Sequence, residues 1–265
     1  MKGIILAGGN ATRLYPLTAT TSKQLLPIYN KQMIFYPINT LVKAGIREIL
    51  IIVSPEHSGQ FLNLLGSLFK NYGVRLVFEV QKVPKGLPEA FVLGEKFIDD
   101  DNVTLILGDN IFEDDFSDDI KKFDKGGMVF ATKVSDPERF GVVKFDENEM
   151  AEKIIEKPQE WISDYVITGL YVYDNRVIDV AKNLKPSERG EIEIVDLHNY
   201  YLEKKELEVR KFDGAWLDAG TYDSLLDAGR IVRDKKIYEK FDPIIEQSIE
   251  EFNKELKLLS KKLLK

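Results

Sequence analysis

Short apolar runs and helical stripes alternate along residues 1–110. The run Gly3-Ile4-Ile5-Leu6-Ala7 is unbroken, as expected for a strand buried on both faces. A polar, glycine-bearing stretch follows as far as Lys23. Ile34, Phe35, Ile38, Leu41 and Val42 then fall on one helical face, with Gly45 placed to stop the helix. Residues 48–53 read as a second strand. Ser58 is expected to cap a helix carrying Phe61, Leu62, Leu64, Leu65, Leu68 and Phe69. A strand over 75–80, a short helix over 89–96 and a strand over 103–107 complete this part, ending in Gly108-Asp109-Asn110.

Such alternation predicts an α/β fold of the Rossmann-like, doubly wound kind: a mostly parallel, mixed sheet flanked by helices. Beyond residue 110 the pattern is less regular. Strands are expected over 128–133, 142–145, 167–173 and 207–212, and helices over 175–184, 193–203 and from about Tyr222. In the tail, Ile245, Ile249, Phe252, Leu256, Leu259 and Leu263 are spaced for one face of a long amphipathic helix. That stripe suits packing on its own domain or a dimer contact equally well. No Pro/Gly/Ser-rich linker interrupts the chain. One domain over 1–230 is expected, with 231–265 as its C-terminal helical appendage.

Charge and composition narrow the chemistry. With 37 Lys+Arg against 44 Asp+Glu the net charge is −7, which argues against nucleic acid as the main partner. The chain has no cysteine, so disulfides, thiolate catalysis and Cys-ligated zinc are excluded. No apolar run approaches the ~20 residues of a spanning helix, and MKGIILAGG is too short for a signal-peptide core. A soluble cytoplasmic protein without a membrane partner is the expectation.

Candidate chemistry collects where the first strand ends. Gly8 and Gly9 let the backbone approach a ligand and turn N–H groups toward anionic oxygens. Arg13 adds a planar, always-charged fork suited to phosphate, and Lys23 follows. The string matches neither G-x-G-x-x-G nor G-x-x-x-x-G-K-[ST]. A plain Gly-Gly turn before a surface Arg is the simpler reading of the same residues. Asp109 follows a strand at the same sheet edge and is a candidate ligand for a hard dication. Asp218 in WLDAG is a second, with a helix N-cap as its alternative. Lys157 in Glu156-Lys157-Pro158 is a weak signal alone. His57 and His198, the only histidines, are expected at the surface or in caps. G-x-S-x-G and H-E-x-x-H are absent, and the matches to a glycosylation pattern at Asn10 and Asn102 are chance.

Together these residues resemble the sugar-phosphate nucleotidyltransferases, and within them the short-form glucose-1-phosphate thymidylyltransferases. The matching strings are KGIILAGGNATRLYPLT, SKQLLPIYNKQMIFYPINTL, AGIREILII, LGDNIF, DPERFGVVKFD, EKP, VITGLYVYD, RGEIEIVD and AWLDAGTYDSLLDAG, in family order from residue 1 to about 230. The resemblance implies transfer of a nucleotidyl group from dTTP to glucose 1-phosphate with Mg²⁺, giving dTDP-glucose and pyrophosphate, the first step of dTDP-deoxysugar (rhamnose-type) synthesis. It places Leu6, Gly8, Gly9, Thr12 and Arg13 around the nucleotide and Lys23 on the departing pyrophosphate. Gln24 would help place the nucleotide, while Gln81 and Gly86 would read the base. Asp109 and Asp218 would hold the metal. Lys157 would grip the sugar phosphate, with Gly141, Glu156, Ile167 and Tyr171 lining the sugar pocket and Arg189 on the phosphate side. A homo-oligomer, dimer or tetramer, is also implied.

Physical chemistry explains why such a set suffices. A sugar phosphate with a second pKa near ~6 is largely dianionic at neutral pH and needs no general base. The obstacle is bringing that dianion to a polyanionic triphosphate, so in-line displacement aided by positioning and fixed positive charge is expected. The chain departs from the family pattern at Ala11, where a third glycine is usual, and at Phe140, where tyrosine is common. Pro88 and Glu89 replace Ala-Gln near the base, and the tail is shorter. A carboxylate beside the base argues against a strict thymidine preference, leaving a UTP-preferring or promiscuous enzyme as the alternative. A non-catalytic nucleotide-sugar-binding protein is a remote third reading.

Overall fold

The structure is a computed structural model that describes residues 1–9, 11–187 and 189–263, the side chains of 259–263 excepted. Asn10 of the glycine-bearing loop and the Leu259 and Leu263 side chains of the tail stripe therefore lie outside the described residues. The first part runs β1 (Lys2–Ala7), β2 (Pro27–Ile28), β3 (Lys31–Gln32), α1 (Phe35–Lys43), β4 (Glu48–Val53) and α2 (Ser58–Leu65). It continues through β5 (Arg75–Val80), α3 (Glu89–Leu93), α4 (Glu95–Ile98) and β6 (Val103–Leu107). The second part comprises β7 (Asn110–Phe112), α5 (Ser117–Lys122), β8 (Gly127–Lys133), β9 (Gly141–Phe145), β10 (Ala151–Glu156) and β11 (Tyr165–Tyr173). After these come α6 (Val177–Asn183), α7 (Ile194–Glu203), β12 (Leu207–Lys211), β13 (Trp216–Asp218), α8 (Tyr222–Asp234) and α9 (Pro243–Leu263).

One mixed sheet organises the molecule in the order β10-β9-β11-β6-β1-β4-β5, with β8 on β11 and β12 on β8. β6, β1, β4 and β5 are mutually parallel, while β11 runs antiparallel to β6, β8 and β9. Successive residues of the central strands feed opposite cores, as a pleated strand requires. Ile5, Ile49, Ile51 and Ile106 pack toward Leu41 and Phe61, whereas Ile4, Leu50, Ile52 and Leu105 pack toward Phe91, Val177 and Leu197. Each such side chain removed from water contributes about 1.5–3 kcal/mol, so the two layers together anchor the sheet.

Several local expectations are corrected. Ser58 does not cap α2 but opens it, its Oγ donating to the Pro55 carbonyl at 3.1 Å. That helix stops at Gly66, so Leu68 and Phe69 are buried on the following turns instead. The helix expected over 89–96 breaks at Gly94, where a Cβ would lie 2.9 Å from Ile4. In the tail, Ile245 is fully buried and Ile249 and Phe252 pack partly on the core, but Leu256 is 48 % exposed. The first turns of α9 thus pack against the core formed by the preceding residues. No helix among the described residues is long and apolar enough to cross a membrane.

Candidate active site

The carboxyl ends of parallel strands and the antiparallel half meet around a cleft of about 460 Å³. All the residues that the resemblance places at the site line it except Thr12, Lys23 and Gln24. Thr12 starts a turn at the exposed rim. Lys23 enters from behind, its ammonium hydrogen-bonded to Asp109. Gln24 is buried under the floor, where it accepts from the Ser22 hydroxyl at 2.5 Å and packs beneath Gly108.

On the first wall, Leu6 and Gly8 end β1, and a Cβ on Gly8 would sit 2.7 Å from Gln81 Oε1. Glycine is therefore required for Gln81 to lie over this turn. Gly9 has φ +100°, open to glycine and strained for other residues. Gly86 combines φ +124° with a closer approach: a Cβ there would come within 2.1 Å of the Ile192 carbonyl. Its loop is clasped to that segment by the Ile192 N–H donating to Lys85 O at 2.8 Å. Arg13 reaches across toward the last part of the chain. A Cβ on Gly220 would be 3.3 Å from Arg13 Nη2 and 3.2 Å from Asp218 Oδ1, so both groups flank that glycine.

Asp109 and Asp218 form the seam between the walls. β7 and β13 pair Asn110 with Asp218, and the Ala219 N–H donates to the Asp109 carbonyl at 3.3 Å. The Asn110 side chain holds this corner: Nδ2 donates to Asp109 Oδ1 at 3.1 Å, and Oδ1 accepts from Gly169 N at 2.9 Å and Trp216 Nε1 at 2.6 Å. Burial opposes ionisation of Asp109, but the Lys23 ammonium and these hydrogen bonds outweigh it and hold its carboxyl below the usual range. At Asp218, burial and then the charge of Asp109 push the carboxyl up. Two carboxylates that repel one another and face a cleft form a hard-oxygen donor pair that a dication would satisfy. Among the described residues no group of three or more metal-ligating side chains is assembled.

Across the cleft lies a wall of charged side chains. Glu156 ends β10 with its Oε1 3.5 Å from both Lys157 Nζ and Arg189 Nη1. Arg189 also lies 3.5 Å from Glu193 and 3.6 Å from Glu191. Lys157 takes a left-handed backbone, φ +43°, its N–H donating to the Phe140 carbonyl at 2.9 Å. Gly141 makes room for Glu156 and Val195, either of which a Cβ would touch. Ile167 supplies an apolar surface, and burial together with the Glu156 and Asp109 charges keeps the Tyr171 phenol protonated.

One alternative and one expectation fail here. Asp218 is not an N-cap, because Thr221 caps α8 in a reciprocal box with Ser224. His198 is not at the surface: it is fully buried, with Nδ1 2.5 Å from the Tyr173 hydroxyl and Nε2 without a partner. Burial pushes it down to about 3. The stripe Ile194, His198, Tyr201 at helical spacing carried that signal, but the polar neighbours Asp196 and Asn199 masked it. Arg139, Asn110, Glu193 and Trp216 also line the cleft and were assigned no role from the sequence. Asn110 and Arg139 adjoin Asp109 and Phe140, Trp216 lies two residues before Asp218 and Glu193 four after Arg189, which is the cue the sequence offers.

This geometry has close relatives. A nucleotidyl transferase family model matches residues 2–235. The chain is 53 % identical over 239 residues to a glucose-1-phosphate thymidylyltransferase of Neisseria gonorrhoeae, covering 88 % of this chain and 83 % of that one. It is 48 % identical over 238 residues to the protein of that name from Mycolicibacterium smegmatis, covering 88 % and 82 % of the two chains. A crystal structure of a Bacillus anthracis protein provisionally named glucose-1-phosphate thymidylyltransferase, solved with a sucrose, superimposes with a TM-score of 0.83 at 43 % identity, covering 88 % of this chain and 96 % of that one. A UDP-glucose pyrophosphorylase solved with UDP-glucose, at 22 % identity and a TM-score of 0.76 over 88 % of this chain and 98 % of its own, shares the fold. With the model match spanning nearly the whole described sheet and the relatives sharing half their residues, this chain belongs to the nucleotidyl transferase family.

Proposed function

We propose that this chain transfers a nucleotidyl group from dTTP to glucose 1-phosphate, giving dTDP-glucose and pyrophosphate as the first step of dTDP-deoxysugar synthesis. The observation that carries the reading is the two-walled cleft. Glycines, Arg13 and the Lys23–Asp109 pair stand on one side, and Lys157 and Arg189 stand on the other. Cationic groups thus face the cleft from opposite directions, as joining two phosphorylated substrates demands. The names carried by relatives half identical to it support the same choice of substrates.

In this reading Leu6, Gly8, Gly9, Thr12 and Arg13 cradle the triphosphate, with Lys23 set to receive charge on the leaving pyrophosphate. Gln81 and Gly86 meet the base, and Gln24 supports the floor beneath. Lys157 and Arg189 hold the sugar phosphate, and Gly141, Glu156, Ile167 and Tyr171 shape the sugar pocket. The phosphate dianion attacks directly, so the site requires no base. His198 agrees with this, being buried and neutral rather than poised to move a proton. Asp109 and Asp218 are the residues that would hold Mg²⁺, whose contribution when bound is to neutralise phosphate charge.

Pyrophosphate release with Mg²⁺ and glucose 1-phosphate tests the proposal, comparing dTTP with UTP at equal concentration. Release well above UTP is expected with dTTP. Equal or greater release with UTP would move the function to a broader sugar-1-phosphate transferase, and none with either would overturn nucleotidyl transfer. A stoichiometric burst of pyrophosphate from dTTP alone would overturn direct displacement. We extend the proposal to a homo-oligomer, dimer or tetramer, on the exposed Leu256 and Leu258 of α9. A monomer in sedimentation at micromolar concentration would contradict that part.

A further inference from the structure

Gln81 is 4 % exposed and follows the last residue of β5, its backbone N–H donating to the Val53 carbonyl at 2.9 Å. Its side-chain amide has two faces of opposite hydrogen-bonding character, a carbonyl that accepts and an NH₂ that donates. Which face meets a ligand depends on what holds the other. Here Nε2 donates to Glu89 Oε2 at 2.7 Å. Glu89 opens α3 just outside the cleft, its side chain 15 % exposed. The same carboxylate oxygen accepts from the Lys85 N–H at 3.1 Å, and Lys85 Nζ stands 3.9 Å from the other oxygen. An ionised carboxylate can only accept, so it selects the NH₂ face and leaves Gln81 Oε1 over Gly8, inside the cleft.

We infer that Glu89 is a positioning residue for base selection: it locks the Gln81 amide so that the nucleotide meets an acceptor. The inference rests on the proposed nucleotidyl transfer for its substrate and adds the chemical edge that is read. A pyrimidine imide, thymine or uracil, carries a donor at N3–H and satisfies that acceptor. Cytosine offers a lone pair at N3, leaving Gln81 Oε1 buried against another acceptor. Such an unmade bond at a buried site costs about ten- to a hundredfold in discrimination. The Glu89 carboxylate, expected from the sequence to weaken thymidine preference, instead supports discrimination against cytosine.

The test compares Glu89→Gln and Glu89→Lys with the unaltered chain, reading the ratio of kcat/KM for dCTP to that for dTTP. A uniform loss of folded protein or of turnover cancels in that ratio. Glutamine at 89, the residue usual in the family, still offers a carbonyl that accepts from Gln81 Nε2, and the ratio is expected to stay close to that of the unaltered chain. Lysine at 89 only donates, draws the Gln81 carbonyl toward itself and presents NH₂ to the cleft, so a rise of about tenfold or more is expected. Dissociation constants of dTTP and dCTP from calorimetry on the same three proteins give the preference without turnover. Failure of nucleotidyl transfer is thereby kept apart from failure of the lock. An unaltered chain that binds dCTP as tightly as dTTP overturns the inference, as does a Glu89→Lys ratio that stays at the unaltered value or a Glu89→Gln ratio that rises as far as that of Glu89→Lys.

Discussion

The two walls of the cleft are built by different means. The wall from the parallel strands presents mostly backbone, with Gly8, Gly9 and Gly86 bringing the chain close and one buried amide, Gln81, between them. The wall from the antiparallel half presents ion-paired side chains, Glu156, Lys157, Arg189 and Glu193, some of them nearly half exposed. Backbone at strand ends is fixed by the whole sheet, whereas a network of long side chains is fixed only by its own members. The first wall suits recognition that must not yield, and the second suits a group that has to be gripped, turned and released.

The seam between the walls is where this contrast breaks most sharply. Asp109→Asn leaves Lys23 without its partner at a buried site, so kcat/KM should fall about 10³-fold or more and thermal stability should drop. Asp218→Asn should lose comparable activity yet raise the melting temperature at neutral pH. The Asp218 carboxyl is pushed up by burial and by Asp109, so it favours the folded state in acid and works against it once ionised. Activity assays beside calorimetric melting separate the two, and a melting temperature lowered by Asp218→Asn would refute the account.

A smaller effect separates the walls themselves. Gly86→Ala forces a Cβ against the Ile192 carbonyl and should raise KM for dTTP about tenfold or more, leaving KM for glucose 1-phosphate little changed. Lys157→Ala should do the reverse. Parallel shifts of both constants in either variant would mean that the walls are not independent.

The smallest effect is one of pH. His198 is held down to about 3 from 6.5 by burial, so the unfolded chain takes up a proton on acidification before the folded one does. Folded stability should therefore decline as pH falls through that window. His198→Gln should flatten the decline in a melting series, and an unaltered slope would show that other groups carry it.

Legibility in the sequence followed the physics of each region. The strands over 48–53 and 103–107 were readable to the residue, because buried parallel strands carry nearly continuous apolar runs bounded by turns. The strand over 75–80 was readable from Leu76-Val77-Phe78, although it is a half-exposed edge strand. β7 and β13 were not, since three-residue strands show no period and pair across more than 100 residues of sequence. About half of the cleft lining was legible through resemblance, which points to residues but not to what holds them. Asn110 and Glu89 act by contacts that only the folded chain creates. His198 was misread because one buried imidazole among polar neighbours carries too little apolar signal to betray its face.

Asn110 has one more consequence. Its amide joins Asp109, Gly169 and Trp216, the last of them 106 residues away. Closing so long a loop is entropically slow, and such contacts form after local ones. The ribosome therefore releases strands β1 to β6 long before the tryptophan that steadies their key carboxylate exists. Chemical competence is among the last properties the nascent chain acquires, and an unfinished chain cannot squander nucleotide.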